Sequence, residues 1–180
     1  MLIQGTTGVT AEVNDARQVL TRAVNVSAIH EASLLGNAFA WNAESADLAA
    51  GATALLVRND SGTKNLVIEK IYIYSDIATA VDVHLVTASF TADGTAVTGV
   101  SLNKSTSATA DATAYANETG NTQGDIIVTL HTQELTTAQQ GFDYNLHGAV
   151  ILGDDQAIGV DIVADGAAFE CTIFGYFIDK

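Results

Sequence analysis

The residues of this 180-residue chain whose types suit catalysis or metal binding are four histidines, one cysteine and a pair of adjacent aspartates. Histidine moves protons near neutral pH and ligates zinc and related metals. His30, His84, His131 and His147 have no histidine or cysteine partner at helical or finger-type spacing. His84 and His131 fall inside apolar, alternating runs, where a hydrogen-bonded or outward imidazole is the ordinary role. Cys171 is the only cysteine, which excludes an intrachain disulfide and a cysteine metal cluster. Within Phe169-Glu170-Cys171-Thr172-Ile173-Phe174 it holds a strand position and reads as a small buried hydrophobe. Asp154-Asp155 follows Gly153 and reads as a solvated turn, since a calcium loop offers more and better spaced oxygens. The chain has no Gly-x-Ser-x-Gly, no Walker loop and no Gly-x-Gly-x-x-Gly. Residue chemistry therefore assigns no catalytic, cofactor-binding or metal-binding residue, and the expectation is a non-enzymatic protein without a cofactor.

Charge narrows the partners. Seven basic residues face 21 acidic ones, a net charge of −14. Residues 105–179 hold eleven acids and no lysine or arginine. Such a surface repels phosphate, so neither nucleic acid nor an anionic membrane is an expected partner. No apolar run reaches the ~18 residues of a membrane span. The first residues lack a basic stretch followed by a long apolar one, so no secretory signal is expected.

The elements that would position any site are strands. Residues 53–88 organise the chain: three β-branched runs with polar breaks, the first being Asn59-Asp60-Ser61-Gly62, which is turn chemistry. In the second run, alternation places Val67, Glu69, Ile71, Ile73 and Ser75 on one face. Leu66, Ile68, Lys70, Tyr72 and Tyr74 take the other. Both faces are largely apolar, so this strand is expected to be central. Phe39 and Trp41 share a face of an earlier strand that gives way to a bend at residues 45–48. Eight strands are expected, beginning near Gly36, Ala54, Leu66, Val81, Asp125, Phe142, Ala157 and Phe169. Asp165-Gly166 has the composition of a two-residue hairpin. Residues 89–124, rich in Thr, Ala, Ser and Gly, read as a long exposed loop with one short strand near Val97–Leu102. Tyr115 is the only large apolar residue of the stretch 108–121.

The fold class that follows is all-β: a two-sheet antiparallel β-sandwich, jelly-roll-like, with an extended N-terminal arm. An immunoglobulin-like strand order is the alternative. The arm spans residues 1–28, where short strands are favoured over a helix, and the sandwich spans 29–180.

Three stretches carry a resemblance: Asn25-Val26 with residues 32–39, residues 54–60 (A-L-L-V-R-N-D), and residues 64–71 (K-N-L-V-I-E-K-I). They lie within residues 25–75, and the similarity extends over roughly a third of the chain. They resemble small β-sandwich virion proteins of tailed bacteriophages, including jelly-roll capsid decoration (cement) proteins. The resemblance implies a trimer seated on the capsid exterior, with the major capsid protein and other copies of the chain as partners. It also implies an arm or loop that engages the shell and neighbouring subunits. The arm residues expected at that interface are Val13, Arg17, Leu20, Arg22, Val24 and Val26. Assembly in the host cytoplasm would follow from the missing signal. The alternative is a tail- or fibre-associated module that binds host glycans through exposed groups near 89–121 and 153–156, Tyr115 foremost.

Overall fold

The structure, a computed structural model, describes residues 2–4, 10–13, 19–20, 27–87, 94–116, 126–165 and 167–180, with the first three segments and Ala46 described by backbone alone. Before Ser27 the described backbone is extended. β1 (Leu2–Gln4), β2 (Thr10–Val13) and β3 (Val19–Leu20) pair antiparallel as a small sheet of their own. A short helix, α1 (Ala28–Leu34), follows. The body contains β4 (Ala38–Leu48), β5 (Thr53–Asn59), β6 (Lys64–Ser75) and β7 (Thr79–Val86). It continues with β8 (Thr95–Val97), β9 (Val100–Ser101), β10 (Ala112–Ala116) and β11 (Ile126–Leu135). It ends with β12 (Gln140–Leu152), β13 (Ala157–Ile162) and β14 (Ala167–Asp179).

The eight long strands pair from the outside of the sequence inward: β4 with β14, β5 with β13, β6 with β12, β7 with β11, all antiparallel. One sheet runs β12-β6-β14-β4, with β9 added beside β4. The other runs β11-β7-β13-β5, with β10 and β8 added beside β5. Among the eight, every sequential step except β7 to β11 changes sheet. That nested order is a jelly roll and excludes the immunoglobulin-like alternative. Each expected strand start lies within a few residues of an observed one.

The core fills the space between the sheets. Trp41, Leu48, Leu55, Val57, Ile71, Ile73, Ile158, Ile162 and Ile173 are all buried there. Burial on this scale is the main stabilising term of the fold. β13 is buried at every residue, as suits a strand with neighbours on both sides.

The alternation expected for β6 fails partway along it. Leu66 and Ile68 join Ile71 and Ile73 in the core, and Val67 faces outward. The cause is a bulge. Lys70 pairs with Phe174, yet Ile68 pairs with the very next residue, Gly175, so Glu69 is an extra residue on β6. On the other side β12 is displaced too, with residues 146–149 looped out between Asn145 and Val150. A Cβ on Gly175 would lie 2.8 Å from the Val67 carbonyl oxygen, so only glycine fits where the two backbones close up. The displaced Val67 packs with Tyr176, Ala38 and Ala32 beneath α1.

Four other expectations are corrected. β4 does not give way at 45–48; it runs on to Leu48 through an irregularity between Ser45 and Leu48, both of which find partners on β14. The 89–124 stretch is not simply an exposed loop. β10 pairs with β5 (Tyr115 opposite Leu56) and β8 pairs with β10. Val97–Leu102 does not form one strand either, since β8 and β9 belong to different sheets. Asp165-Gly166 does not close a hairpin, because β13 and β14 lie in different sheets. Asp165 instead accepts a hydrogen bond from the Ala50 amide at 3.2 Å.

Strand direction gives the sandwich two ends. β4, β6, β11 and β13 begin, and β5, β7, β12 and β14 finish, at the end where α1 delivers the chain into β4. We call this the arm end and the opposite one the far end. α1 stops at Gly36, whose φ of +75° suits glycine, and Asn37 N–H donates back to the Ala32 carbonyl at 2.8 Å. The β5–β6 corner at the arm end is pinned by Asn59, which is fully buried. Its Nδ2 donates to the Leu152 and Lys64 carbonyls at 2.9 and 3.0 Å, and its Oδ1 accepts the Ser61 amide at 3.0 Å.

Candidate functional site

Register places Tyr115, Leu56, Gly159, His84 and Thr129 in one row across the outer face of the β11-containing sheet. His84 is buried there at 4% exposure. Its Nδ1 lies 3.1 Å from Thr129 Oγ1 and its Nε2 lies 3.5 Å from Asp161 Oδ2. Asp82, on the next row, accepts a hydrogen bond from Thr132 Oγ1 at 2.6 Å. Burial lowers the His84 pKa below the usual imidazole value, with Asp82 pulling the other way. Hydroxyl, imidazole and carboxylate thus stand in line, the order of a nucleophilic relay. A relay also needs room for a substrate and donors for an oxyanion. The three clefts described below open elsewhere. Within this geometry the trio is a hydrogen-bonded strut across β11, β7 and β13.

The other histidines do not converge on it. His30 lies exposed on α1, His147 lies exposed in the β12 displacement, and His131 is stacked. The His131 ring sits 4.5 Å from Tyr144 and 5.8 Å from Phe142, tying β11 to β12 along one side of the sandwich. Among the described residues, no three His, Cys, Asp or Glu side chains group as metal ligands. Cys171 is fully buried, and burial beside Glu170 drives its thiol pKa far upward. The Tyr176 phenol is also raised, by burial and then by Glu69. Asp154 and Asp155 occupy an exposed turn. Tyr115 is half-buried on β10, so only part of its ring is available to a glycan. Of the expected arm interface, Val13 and Leu20 lie on β2 and β3, opposite Val19 and Glu12. Arg17, Arg22, Val24 and Val26 lie outside the described residues. Among the described residues, no helix is long and apolar enough to cross a membrane.

The feature that sequence reasoning missed is the distribution of exposed apolar side chains. Ten large ones are exposed among the described residues: Leu34, Leu35, Val100, Leu102, Ile126, Ile127, Val128, Ile151, Val163 and Ile178. All but Val163 belong to the arm end. Leu34 and Leu35 close α1 at 66% and 71% exposure. Asn103, beside Leu102, donates Nδ2 to the Leu34 carbonyl at 3.4 Å, and Val100 pairs with Ala40 near the start of β4. Ile178 and Leu35 border the same cleft of about 280 Å3. Ile126–Val128 begin β11 opposite the end of β7, and Ile151 precedes the carbonyl that Asn59 holds. Val163 follows β13 at the far end.

Comparison of the chain with family models, with curated proteins and with solved structures found no match in any of the three.

Two further clefts lie on the side of the sandwich where the edge strands are shortest. The larger, about 570 Å3, opens between the sheets and is lined by Asn42 and Glu44 of β4, Thr95–Thr98, Val100 and Ala116. The smaller, about 220 Å3, runs between residues 96–99 and 109–115. β8 and β9 are three and two residues long, so they offer little edge for another strand to pair with. β11 and β12, with ten and thirteen residues, form the long edges of the opposite side.

Proposed function

We propose that this chain is a non-enzymatic assembly protein, a capsid decoration protein of a tailed bacteriophage that seats its arm end on other protein subunits. The major capsid protein and further copies of the chain are its partners, and the capsid exterior is its place. The observation that carries the reading is the crowding of exposed apolar side chains at one end, the end where the arm joins. Exposed apolar residues scattered singly are normal on a soluble protein. Their concentration around α1, β9, the start of β11 and the ends of β12 and β14 is the character of a protein-binding surface. A jelly roll presents such an end on a rigid core, and many weak contacts repeated over symmetric copies add up to firm attachment.

The test is cosedimentation of the purified protein with shells of its phage lacking it. The wild-type protein is expected to sediment with the shells. A Leu34→Ser/Leu35→Ser variant and a chain lacking residues 1–26 are expected to stay in solution while remaining folded. Val163→Ser, at the far end, is expected to bind like the wild type. A wild-type protein that fails to sediment would refute the reading.

A further inference from the structure

Charge divides between the two ends as unevenly as apolar surface does. Of the five basic residues with described side chains, Arg58, Lys64, Lys104 and Lys180 belong to the arm end, and only Lys70 lies along the body. Arg58 is engaged by Asp60 at 2.6 Å, and Lys64 donates Nζ to Asn37 Oδ1 at 3.2 Å. Lys104 and Lys180 are exposed and flank the apolar surface. Lys104 follows the Asn103 that holds α1, and Lys180 stands two residues beyond Ile178, with Nζ on the Gly62 carbonyl at 3.0 Å.

The far end is different. Its strand ends and connections carry Asp47, Asp76, Glu134 and Asp165, and no described lysine or arginine. The arm end has acids as well, Glu31, Asp60, Asp111, Asp154, Asp155 and Asp179, so its rim is mixed where the far end is uniformly negative. A negatively charged surface approaching the far end meets only carboxylates. Approaching the arm end, it meets carboxylates too, and among them two ammonium groups set beside exposed leucine and isoleucine. Like charges brought into contact disfavour docking and opposite charges steer encounter, so this asymmetry selects an orientation.

We propose that the surface on which the arm end docks is apolar at its centre and carries carboxylates opposite Lys104 and Lys180. The charge asymmetry then sets the polarity of attachment, arm end inward and acidic far end outward. This rests on the assembly reading above and names the chemistry of its partner.

The experiment measures shell binding by the full chain at about 0.05 M and about 0.5 M salt, conditions of weak and strong screening. It compares the wild type with two double charge reversals. Lys104→Glu/Lys180→Glu is expected to weaken binding by about tenfold or more at low salt and to flatten the salt dependence. Asp47→Lys/Glu134→Lys, at the far end, is expected to bind within about twofold of the wild type. Trp41 fluorescence, from a fully buried side chain, confirms that both variants are folded. If Lys104→Glu/Lys180→Glu binds like a wild type that itself binds, the proposed partner chemistry is wrong and the assembly reading stands. If the far-end reversal alone abolishes binding, the polarity is inverted and the proposal falls. If the wild type does not bind shells at all, the assembly reading falls and the proposal with it.

Discussion

Replacing Asn59 with alanine removes the side chain that locks the β5–β6 corner to the end of β12. Asn59 is fully buried, and its amide makes three hydrogen bonds: two donated to the Leu152 and Lys64 carbonyls, one accepted from the Ser61 amide. Alanine leaves all three backbone groups without that partner. A hydrogen bond is worth about 1 kcal/mol net, and a group stranded in a buried position costs more, so the loss works out at about 3 kcal/mol. For a domain of this size each kcal/mol shifts the melting temperature by about 2–4 °C, which predicts a drop of about 6–12 °C. The assay is thermal and urea unfolding followed by the fluorescence of Trp41, the only tryptophan, which is fully buried in the core. Asn59→Asp adds a control. It keeps the acceptor for Ser61, loses both donors and turns a carboxylate toward two carbonyl oxygens, so at neutral pH it is expected to be at least as unstable as the alanine variant. An Asn59→Ala protein within about 1 kcal/mol of the wild type would refute the claim that this corner is pinned by one side chain.

Three more predictions follow from the same geometry. Burial lowers the His84 pKa, so the unfolded chain takes up a proton near the usual value of 6.5 before the folded one does. The stability contributed by neutral His84 is therefore complete above about pH 6.5 and is lost as pH falls through the lowered folded value. Urea unfolding at pH 7.5 and 5.5 is expected to show a smaller pH dependence in His84→Asn than in the wild type; equal dependence would contradict the buried neutral imidazole. Cys171 is fully buried with its thiol pKa raised, so a thiol reagent is expected to leave the native protein unmodified over hours at pH 8 and to react once denaturant unfolds it. Fast labelling of the native chain would place Cys171 outside the core. Gly175→Ala puts a methyl group 2.8 Å from the Val67 carbonyl, where backbone must give way, and is expected to cost about 2–3 kcal/mol in urea unfolding; a neutral substitution would mean that the β6 and β14 backbones do not close up there.

The eight long strands were legible because β-branched and aromatic residues alternate in each, with Gly, Asn and Asp between them. What alternation could not convey is which sheet a strand joins. Asn59-Asp60-Ser61-Gly62 marks a chain reversal, yet the chain there crosses to the opposite sheet, as it also does between β13 and β14, where the composition suggested a hairpin. The face switch on β6 escaped for a related reason: one inserted residue, Glu69, resets the period, and only the partner strand reveals it. α1 escaped because it is seven residues long and its last residue, Leu34, and the capping Leu35 face solvent, so only Ile29 and Ala32 trace an inward stripe. β10 lies in a Thr- and Ala-rich stretch whose strand character comes from pairing with β5 and not from intrinsic preference. At the candidate surface, Leu34, Leu35, Leu102, Ile126, Ile151 and Ile178 each look like core residues in sequence. Their exposure and shared position arise only when the strands are folded with alternating direction.

The central claim is that the arm end is the attachment surface of an assembly protein, and electron cryo-microscopy of phage particles carrying the chain tests it most directly. The account predicts density for the jelly roll on the outside of the shell, with α1, β9 and the start of β11 against the capsid subunits and the Asp47–Glu134–Asp165 end toward solvent. A jelly roll found on the tail, or seated on the shell by its acidic far end, would contradict it.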